Sequence, residues 1–443
     1  MANIFRESAK KQSLGQIVDV KIERLDINGC GVTRLKNKPV FIDKTLPEEW
    51  VKVQIVEQKS KYYRANILEI LQGSQNRVEP SCRHYHLCGG CDLQHLSFSE
   101  HLAFKQQKVS ELFERNHINQ CLPWQDAIVS KPWNYRRKAR IGVQYDKKGH
   151  VTLGFRKKAT NQLVAIKNCP VLDEKIASLF SPLKKIISDL SISRSIGHIE
   201  VIATNEINIV IRQLKKLNIA DVILWKNASA VNKWQIFIDD GHKITPLADT
   251  KPLTYNLLNN LELTFETQDF IQINHEVNVD MVKRSLDWLS LATTDIVLDL
   301  FCGLGNFSLS LAQKVDQVVG IEGVQAMVDR ATMNASNNQL NNCQFYQADL
   351  NADWLSNNWA KIGFDKVLLD PARAGALNAV EQLVKLSIPT ILYVSCDPAT
   401  LARDAKYLID HGYKLEKIAL IDMFSQTKHV ETMVLFSRLA KSL

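Results

Sequence analysis

The sequence predicts an α/β protein. A doubly wound, mostly parallel sheet fills its C-terminal part, behind a small antiparallel β-barrel and a β-rich central region. Three observations predict this. Residues about 10–70 run in short alternating stretches broken by turn signals. Residues about 125–262 carry further strand-like runs. From about residue 265, continuous apolar runs alternate with helical patterns, the mark of strands buried on both faces. A chain of 443 residues is too long for one ordinary core. The expected division is 1–72 for the barrel, 73–264 for the central domain and 265–443 for the α/β domain.

In the first segment the strands are VDVKIER, PVFID, VKVQIVEQ and ANILEIL, with turns at Asn28-Gly29 and Asn37-Lys38-Pro39. A barrel of this size is a frequent platform for oligonucleotides. A helix follows near Ser99–Asn116, with Leu102, Val109 and Leu112 on one face. ARIGVQYD, HVTLGFR, HIEVIAT, INIVIRQ, KWQIFIDD and LELTFET make the centre β-rich. Asn274 is placed to cap a helix bearing Val277, Met281 and Trp288. Beyond it, DIVLDLF, VDQVVGIEG, FDKVLLDPAR, PTILYVSCDP, KLEKIALIDMF and ETMVLFSRL read as strands.

Composition narrows the class. With 45% hydrophobic and 23% charged residues the chain reads as soluble and globular. It has no run of about 18 uncharged apolar residues, so no membrane span is expected. The opening MANIFRESAKKQSLGQ has no apolar signal core, which predicts a cytoplasmic protein with reduced cysteines. An odd count of nine cysteines also argues against complete pairing. The net charge is +8, and Lys131–Lys158 holds ten Lys or Arg against one Asp. Trp133, Tyr135, Tyr145 and Phe155 are interleaved with them. Cations that neutralise phosphates and rings that stack on bases suit RNA. A solvated face of a basic hairpin is the plainer alternative.

Cys82, Cys88 and Cys91 lie within ten residues. Three thiols from one loop need a fourth ligand, and Cys169, in a loop before Pro170, is the best candidate. Spacing alone weighs an iron–sulphur cluster and zinc equally; His84, His86 or His95 could complete a zinc site.

Ligands of a doubly wound sheet sit beyond the carboxyl ends of its strands. After the first strand comes Asp299-Leu-Phe-Cys-Gly303-Leu-Gly305-Asn306, with Ser308 where a dinucleotide motif needs glycine. Glu322 follows 23 residues beyond Asp299, able to accept both ribose hydroxyls. This combination predicts a nucleoside cofactor without phosphate, S-adenosylmethionine (SAM). Asp349 would face the adenine amino group. A nucleotide-binding or inert sheet is the alternative.

Asp370-Pro-Ala-Arg373 and Ser395-Cys396-Asp397 end two further strands. Cys396 is a candidate nucleophile. Carbon 5 of uracil is too weak a nucleophile to take a methyl group from a sulfonium unaided. A thiolate adding to carbon 6 makes carbon 5 enolate-like, and a carboxylate must then remove its proton. Glu431, entering a late strand, suits that role. Attack needs a thiolate, so a lowered thiol pKa is expected. Packing is the plainer reading of Cys396, and Cys302 is its competitor.

FIQIN (270–274), DLFCGLGNF, LLDPARAG, SCDPATLARD and HVETMVLF together resemble the RNA uracil-C5 methyltransferases. CRHYHLCGGCDLQH resembles the iron–sulphur branch of that family, and the N-terminal barrel its TRAM domain. The resemblance implies a Rossmann-like class I SAM-dependent methyltransferase domain. It implies Cys396 as nucleophile and Glu431 as base, with Gln272, Phe301, Asn306, Glu322, Asp349 and Asp370 around SAM. It also implies a [4Fe-4S] cluster on Cys82, Cys88, Cys91 and Cys169. On residues alone, Asp370 could instead hold the uracil ring, and Gln272 could be a polar residue before a helix. The implied substrate is a single-stranded or loop uridine of 23S ribosomal RNA, acted on by a monomer away from membranes. The alternatives are a transfer RNA uridine, or a non-catalytic RNA-binding assembly factor.

Overall fold

The computed structural model describes residues 14–192 and 194–439. Residues 1–13 of the expected first domain, 440–443 of the last, and most of the N-terminal stretch read for a signal lie outside them. The chain forms two compact units. One holds the chain up to Tyr85 with Cys91–Lys108 and Gln426–Lys428. The other holds His86–Gly90, Val109–Ser425 and the chain from His429.

The first unit is a six-stranded sheet of β1 (Ile17–Lys21), β2 (Arg24–Leu25), β3 (Gly31–Leu35), β4 (Lys38–Ile42), β5 (Trp50–Gln58) and β6 (Tyr63–Gln72), in the order β1-β5-β6-β4-β3-β2. The alternation in β5 works as predicted: Val51, Val53 and Ile55 are buried, and Lys52 and Gln54 are not. They join Val20, Ile22, Val40 and Ile42 in one core. The buried Glu49 carboxylate fastens the chain leaving this sheet, accepting from Arg77 Nε (2.5 Å) and Nη2 (2.8 Å) and from the Ser74 N–H (3.2 Å). The predicted helix is α1 (Phe98–Arg115).

In the second unit, β7 (Lys138–Tyr145), β8 (Val151–Arg156), β9 (Leu163–Ala165), β10 (Ile196–Ala203), β11 (Ile207–Gln213), β12 (Trp234–Asp239) and β13 (Ile244–Pro246) form a second sheet, ordered β13-β12-β11-β10-β7-β8-β9. Three helices that the sequence reading missed are threaded through it: α2 (Glu174–Ala177), α3 (Phe180–Asp189) and α4 (Ile219–Asn232). Their β-branched content misled: Ile219, Val222, Ile223 and Val231 favour strands by propensity. Packing overrides that preference. Phe180, Leu183 and Ile187 of α3 and Trp225 of α4 enter the core under this sheet.

After the hairpin β14 (Leu253–Asn256) and β15 (Glu262–Phe265) comes α5 (His275–Leu289), capped by Asn274 as predicted. Val277, Met281 and Trp288 are all buried. The third sheet holds β16 (Ile296–Leu300), β17 (Gln317–Glu322), β18 (Cys343–Gln347), β19 (Lys366–Leu369), β20 (Thr390–Ser395), β21 (Tyr413–Ile421) and β22 (Glu431–Arg438). Its order is β18-β17-β16-β19-β20-β22-β21, parallel through β20, with β22 antiparallel to both neighbours. Between these strands run α6 (Ser308–Ala312), α7 (Gln325–Asn337), α8 (Leu377–Leu386) and α9 (Pro398–Asp410). Ile202, Val210 and Phe237 of the second sheet share a core with Val297, Leu368 and Met433 of the third. No helix among the described residues is long and apolar enough to cross a membrane.

Candidate active site

The turn after β16 is the centre of the site. Phe301, Gly303 and Gly305 all have positive φ, at 63°, 55° and 88°. At Gly305 a Cβ would lie 2.4 Å from Leu309 Cδ1, so any side chain there would force Leu309 to move as well as strain the backbone. Phe301 holds that conformation with a side chain, a local strain typical of ligand-binding turns. Glu322, at the end of β17, locks onto the turn. Its carboxylate accepts from the N–H groups of Gly303 (3.2 Å), Gly323 (2.8 Å) and Val324 (3.1 Å).

Asn306, on the same turn, exchanges hydrogen bonds with the buried Asn278 of α5 and accepts from the Tyr255 hydroxyl at 3.1 Å. Gln272 is half-buried just before α5, and its carbonyl accepts from Arg137 Nε at 2.9 Å. Asp349 stands exposed beyond β18, its carboxylate accepting from the Asn351 N–H at 2.9 Å. That local turn is the only partner the structure gives it among the described residues.

Beneath the turn the site is acidic. Asp299 is fully buried; one oxygen accepts from the Ser308 hydroxyl and the other has no partner among the described residues. Burial pushes its carboxyl up to about 7, with Asp370 and Glu322 adding repulsion against the Ser308 bond. Burial likewise pushes Asp370, at the end of β19, up to about 7. Carboxylates gathered at low dielectric favour a cation, such as a sulfonium or an ammonium group.

Cys396 follows β20 directly, held between that strand and α9, whose N-cap is Asp397. It is half-buried. Glu431 is buried at the start of β22, next to β20, where Ser395 pairs with Thr432. The thiol is pushed up to about 11, first by burial, then by the Glu431 and Asp370 carboxylates, with Arg373 opposing. The expectation of a lowered thiol is therefore reversed: burial, reinforced by two carboxylates, outweighs one guanidinium. The competitor, Cys302, is buried, and burial with Asp299 and Glu322 raises its thiol well above the usual range. Cys302 is sealed beneath the turn, whereas Cys396 is accessible.

Sequence reasoning missed Asn278, Tyr255, Arg137 and Arg373 as members of this site. Asn278 carried one signal, an amide on the buried face of an otherwise apolar helix. Arg137 lay hidden among the cations of the basic stripe.

The four cysteines read as cluster ligands are all half-buried. In the first unit, the Cys82 N–H donates to Gln94 Oε1 at 3.2 Å. Nearby, Tyr85 bonds to Nδ1 of the buried His95, whose imidazole burial pushes down to about 3. In the second unit, Cys88 and Cys169 both border the core of the second sheet. Among the described residues, no group of three or more His, Cys, Asp or Glu stands gathered to hold a metal ion. The donor type, four thiols, suits a thiolate-held cluster.

Comparison with known proteins identifies the family. A family model described as tRNA (Uracil-5-)-methyltransferase matches residues 97–439, and the TRAM domain model matches residues 11–68. A 23S rRNA (uracil(1939)-C(5))-methyltransferase RlmD of Colwellia psychrerythraea is 53% identical over 99% of both chains. One of the same name from Psychromonas ingrahamii is 43% identical, over 99% of this chain and all of the other. The crystal structure of Pyrococcus abyssi tRNA (uracil-54, C5)-methyltransferase with S-adenosyl-L-homocysteine shares the fold. Its TM-score is 0.75 at 21% identity, covering 95% of this chain and 100% of that one. A TRAM domain, a SAM-methyltransferase sheet and full-length relatives of one kind leave one assignment: the chain belongs to the RNA uracil-C5 methyltransferase family, and within it to the RlmD type.

Proposed function

We propose that this protein transfers a methyl group from SAM to carbon 5 of a uridine in 23S ribosomal RNA, through a covalent adduct on Cys396. The observation that carries the reading is a half-buried thiol at a strand's carboxyl end, under the direct influence of Glu431, Asp370 and Arg373. The full-length relatives named above support the choice of RNA.

SAM supplies the methyl as an electrophile on a cationic sulfur. Glu322 would hold the ribose, and Asn306, Gln272, Phe301 and Asp370 would position the rest, with Asp349 toward the adenine. Cys396, as thiolate, forms a bond to carbon 6, and the ring's electron pair moves onto the carbon-4 oxygen. Carbon 5 then takes the methyl group, and the carbon–sulfur bond of the donor breaks. Glu431 removes the carbon-5 proton, the double bond re-forms, and Cys396 leaves as thiolate. With its pKa pushed up to about 11, the resting thiol is mostly protonated at neutral pH and only weakly nucleophilic. The arriving sulfonium and Arg373 are the cations available to favour the thiolate.

Cys82, Cys88, Cys91 and Cys169 would ligate a [4Fe-4S] cluster. Methyl transfer has no net electron exchange, so the cluster's part is structural: it fixes the RNA-binding surface. Iron and acid-labile sulfide in anaerobically purified protein, lost in Cys88→Ser, would support this; stoichiometric zinc without sulfide overturns it. The expected location is the cytoplasm, where thiols stay reduced.

The test of function uses 23S and transfer RNA from cells lacking the protein, with labelled SAM. Label in 5-methyluridine of 23S RNA supports the reading. Label in transfer RNA alone moves the same chemistry to that substrate, and label in neither overturns both. RNA carrying 5-fluorouridine at the target should trap a covalent complex, because fluorine does not leave as a proton would.

A further inference from the structure

Beside the site, sharing Arg137 and Tyr255 with it but lined by none of the residues assigned to nucleophile, base or cofactor, lies a cavity of about 740 Å³. Its walls include Lys131, Trp133, Arg137, Lys175, Asn205 and His275. Arg137 is only 6% exposed, and its Nη2 has no partner among the described residues. A buried guanidinium with an unfilled donor is costly unless a ligand supplies an acceptor. Its other nitrogens each make a bond: Nε to the Gln272 carbonyl at 2.9 Å and Nη1 to His275 Nδ1 at 3.3 Å. Burial and the guanidinium push His275 down to about 4, so its imidazole is neutral and accepts.

Trp133 is half-buried on the same wall and stands in no ring pair among the described aromatics. Asp173, Glu174 and Glu276 also line the cavity, so it is not a nest for a polyphosphate. A flat ring to stack on, one donor awaiting a carbonyl, and room for a nucleotide fit a neutral nucleobase. Lys131, exposed and at the start of the basic stripe, suits the phosphate outside.

We propose that this cavity receives a second unstacked nucleotide of the RNA substrate, its base stacked on Trp133 with a base oxygen accepting from Arg137 Nη2. The proposal rests on the reading of RNA as substrate. It also links RNA to cofactor. Arg137 grips the backbone of Gln272 and Ile273, and its guanidinium lies 4.6 Å from the Tyr255 ring, whose hydroxyl bonds to Asn306. The occupied cavity would brace the two segments that meet SAM.

The test is a scan of 23S RNA fragments, each with one abasic nucleotide near the target uridine, methylated by the full-length wild type, Trp133→Phe and Trp133→Ala. At one flanking position the abasic site should raise the wild-type KM about tenfold, the scale of one base–aromatic stack. Trp133→Ala should show that rise with intact RNA and no further rise with that abasic RNA. Trp133→Phe should stay near wild type, and kcat and the affinity for SAM without RNA should not change. If no abasic position costs the wild type more than about twofold, or if the two losses multiply at every position, the cavity does not hold a base. A wild type that methylates intact RNA normally while failing the scan overturns this proposal alone. A wild type that methylates no RNA overturns the function and this proposal with it.

Discussion

Asn306 and Asn278 face each other as a reciprocal pair, each amide donating to the other's oxygen at 2.9 and 3.0 Å. The pair joins the glycine turn to a fully buried position on α5, so the turn's shape depends on a helix 28 residues earlier. Asn278→Ala leaves the Asn306 amide half-satisfied and opens a gap. The fold should lose about 1–3 kcal/mol, read as a lower urea midpoint. Affinity for S-adenosylhomocysteine by calorimetry should fall about tenfold, with Cys396 alkylation unaffected. Unchanged cofactor affinity would separate the pair from the SAM site.

The raised thiol of Cys396 has a kinetic signature. With a pKa near 11 in the resting protein, the thiolate fraction grows about tenfold for each pH unit through the neutral range. At subsaturating RNA, kcat/KM should therefore climb with unit slope from pH 6.5 to 9 without a plateau. Arg373→Met removes a cation that lowers this thiol and should reduce the rate at every pH while leaving the slope. A plateau below pH 8 would mean that the thiol is activated before RNA binds. Cys396→Ala should abolish methylation and keep SAM binding.

Glu431→Gln separates addition from elimination. The nucleophile and methyl transfer remain, but proton removal from carbon 5 loses its base, worth about 10²–10⁴ in rate. A methylated protein–RNA adduct, stable to denaturing gels, should accumulate with normal RNA. Elimination at the wild-type rate would assign the base to another group, and Asp370 is the second carboxylate acting on the thiol.

The strand-end positions were readable in sequence because the architecture puts them in one place. Glu322 after β17, Asp370 after β19 and Cys396 after β20 each follow a continuous apolar run, and parallel strands bring such residues to one edge. Arg137, Tyr255 and Asn278 were not readable. They reach the site through hydrogen bonds spanning 135, 51 and 28 residues, which no local pattern encodes. Helices α3 and α4 were missed for a related reason: their β-branched residues obey tertiary packing rather than propensity. The direction of the Cys396 shift also needed three dimensions, since it depends first on how deeply the sulfur is buried and then on which charges surround it.

Asp299 makes stability depend on pH in a direction opposite to that of a salt-bridged carboxylate. Its carboxyl is pushed from an ordinary 3.8 up to about 7 in the folded protein. Between those values the native state holds a proton that the unfolded chain has released. Stability therefore falls as pH rises from about 4 to 7, by at most about 1.4 kcal/mol per unit, and levels off above. Asp370 adds to the same trend. Asp299→Asn keeps an acceptor for Ser308 and removes the charge. Urea midpoints between pH 5 and 8.5 should slope downward in the wild type and be flatter in the variant, which should be the more stable protein at pH 8. SAM should blunt the wild-type slope, because its cation favours the ionised cluster. A variant that keeps the full wild-type slope would show that Asp299 is ionised throughout the range, its charge already balanced within the fold.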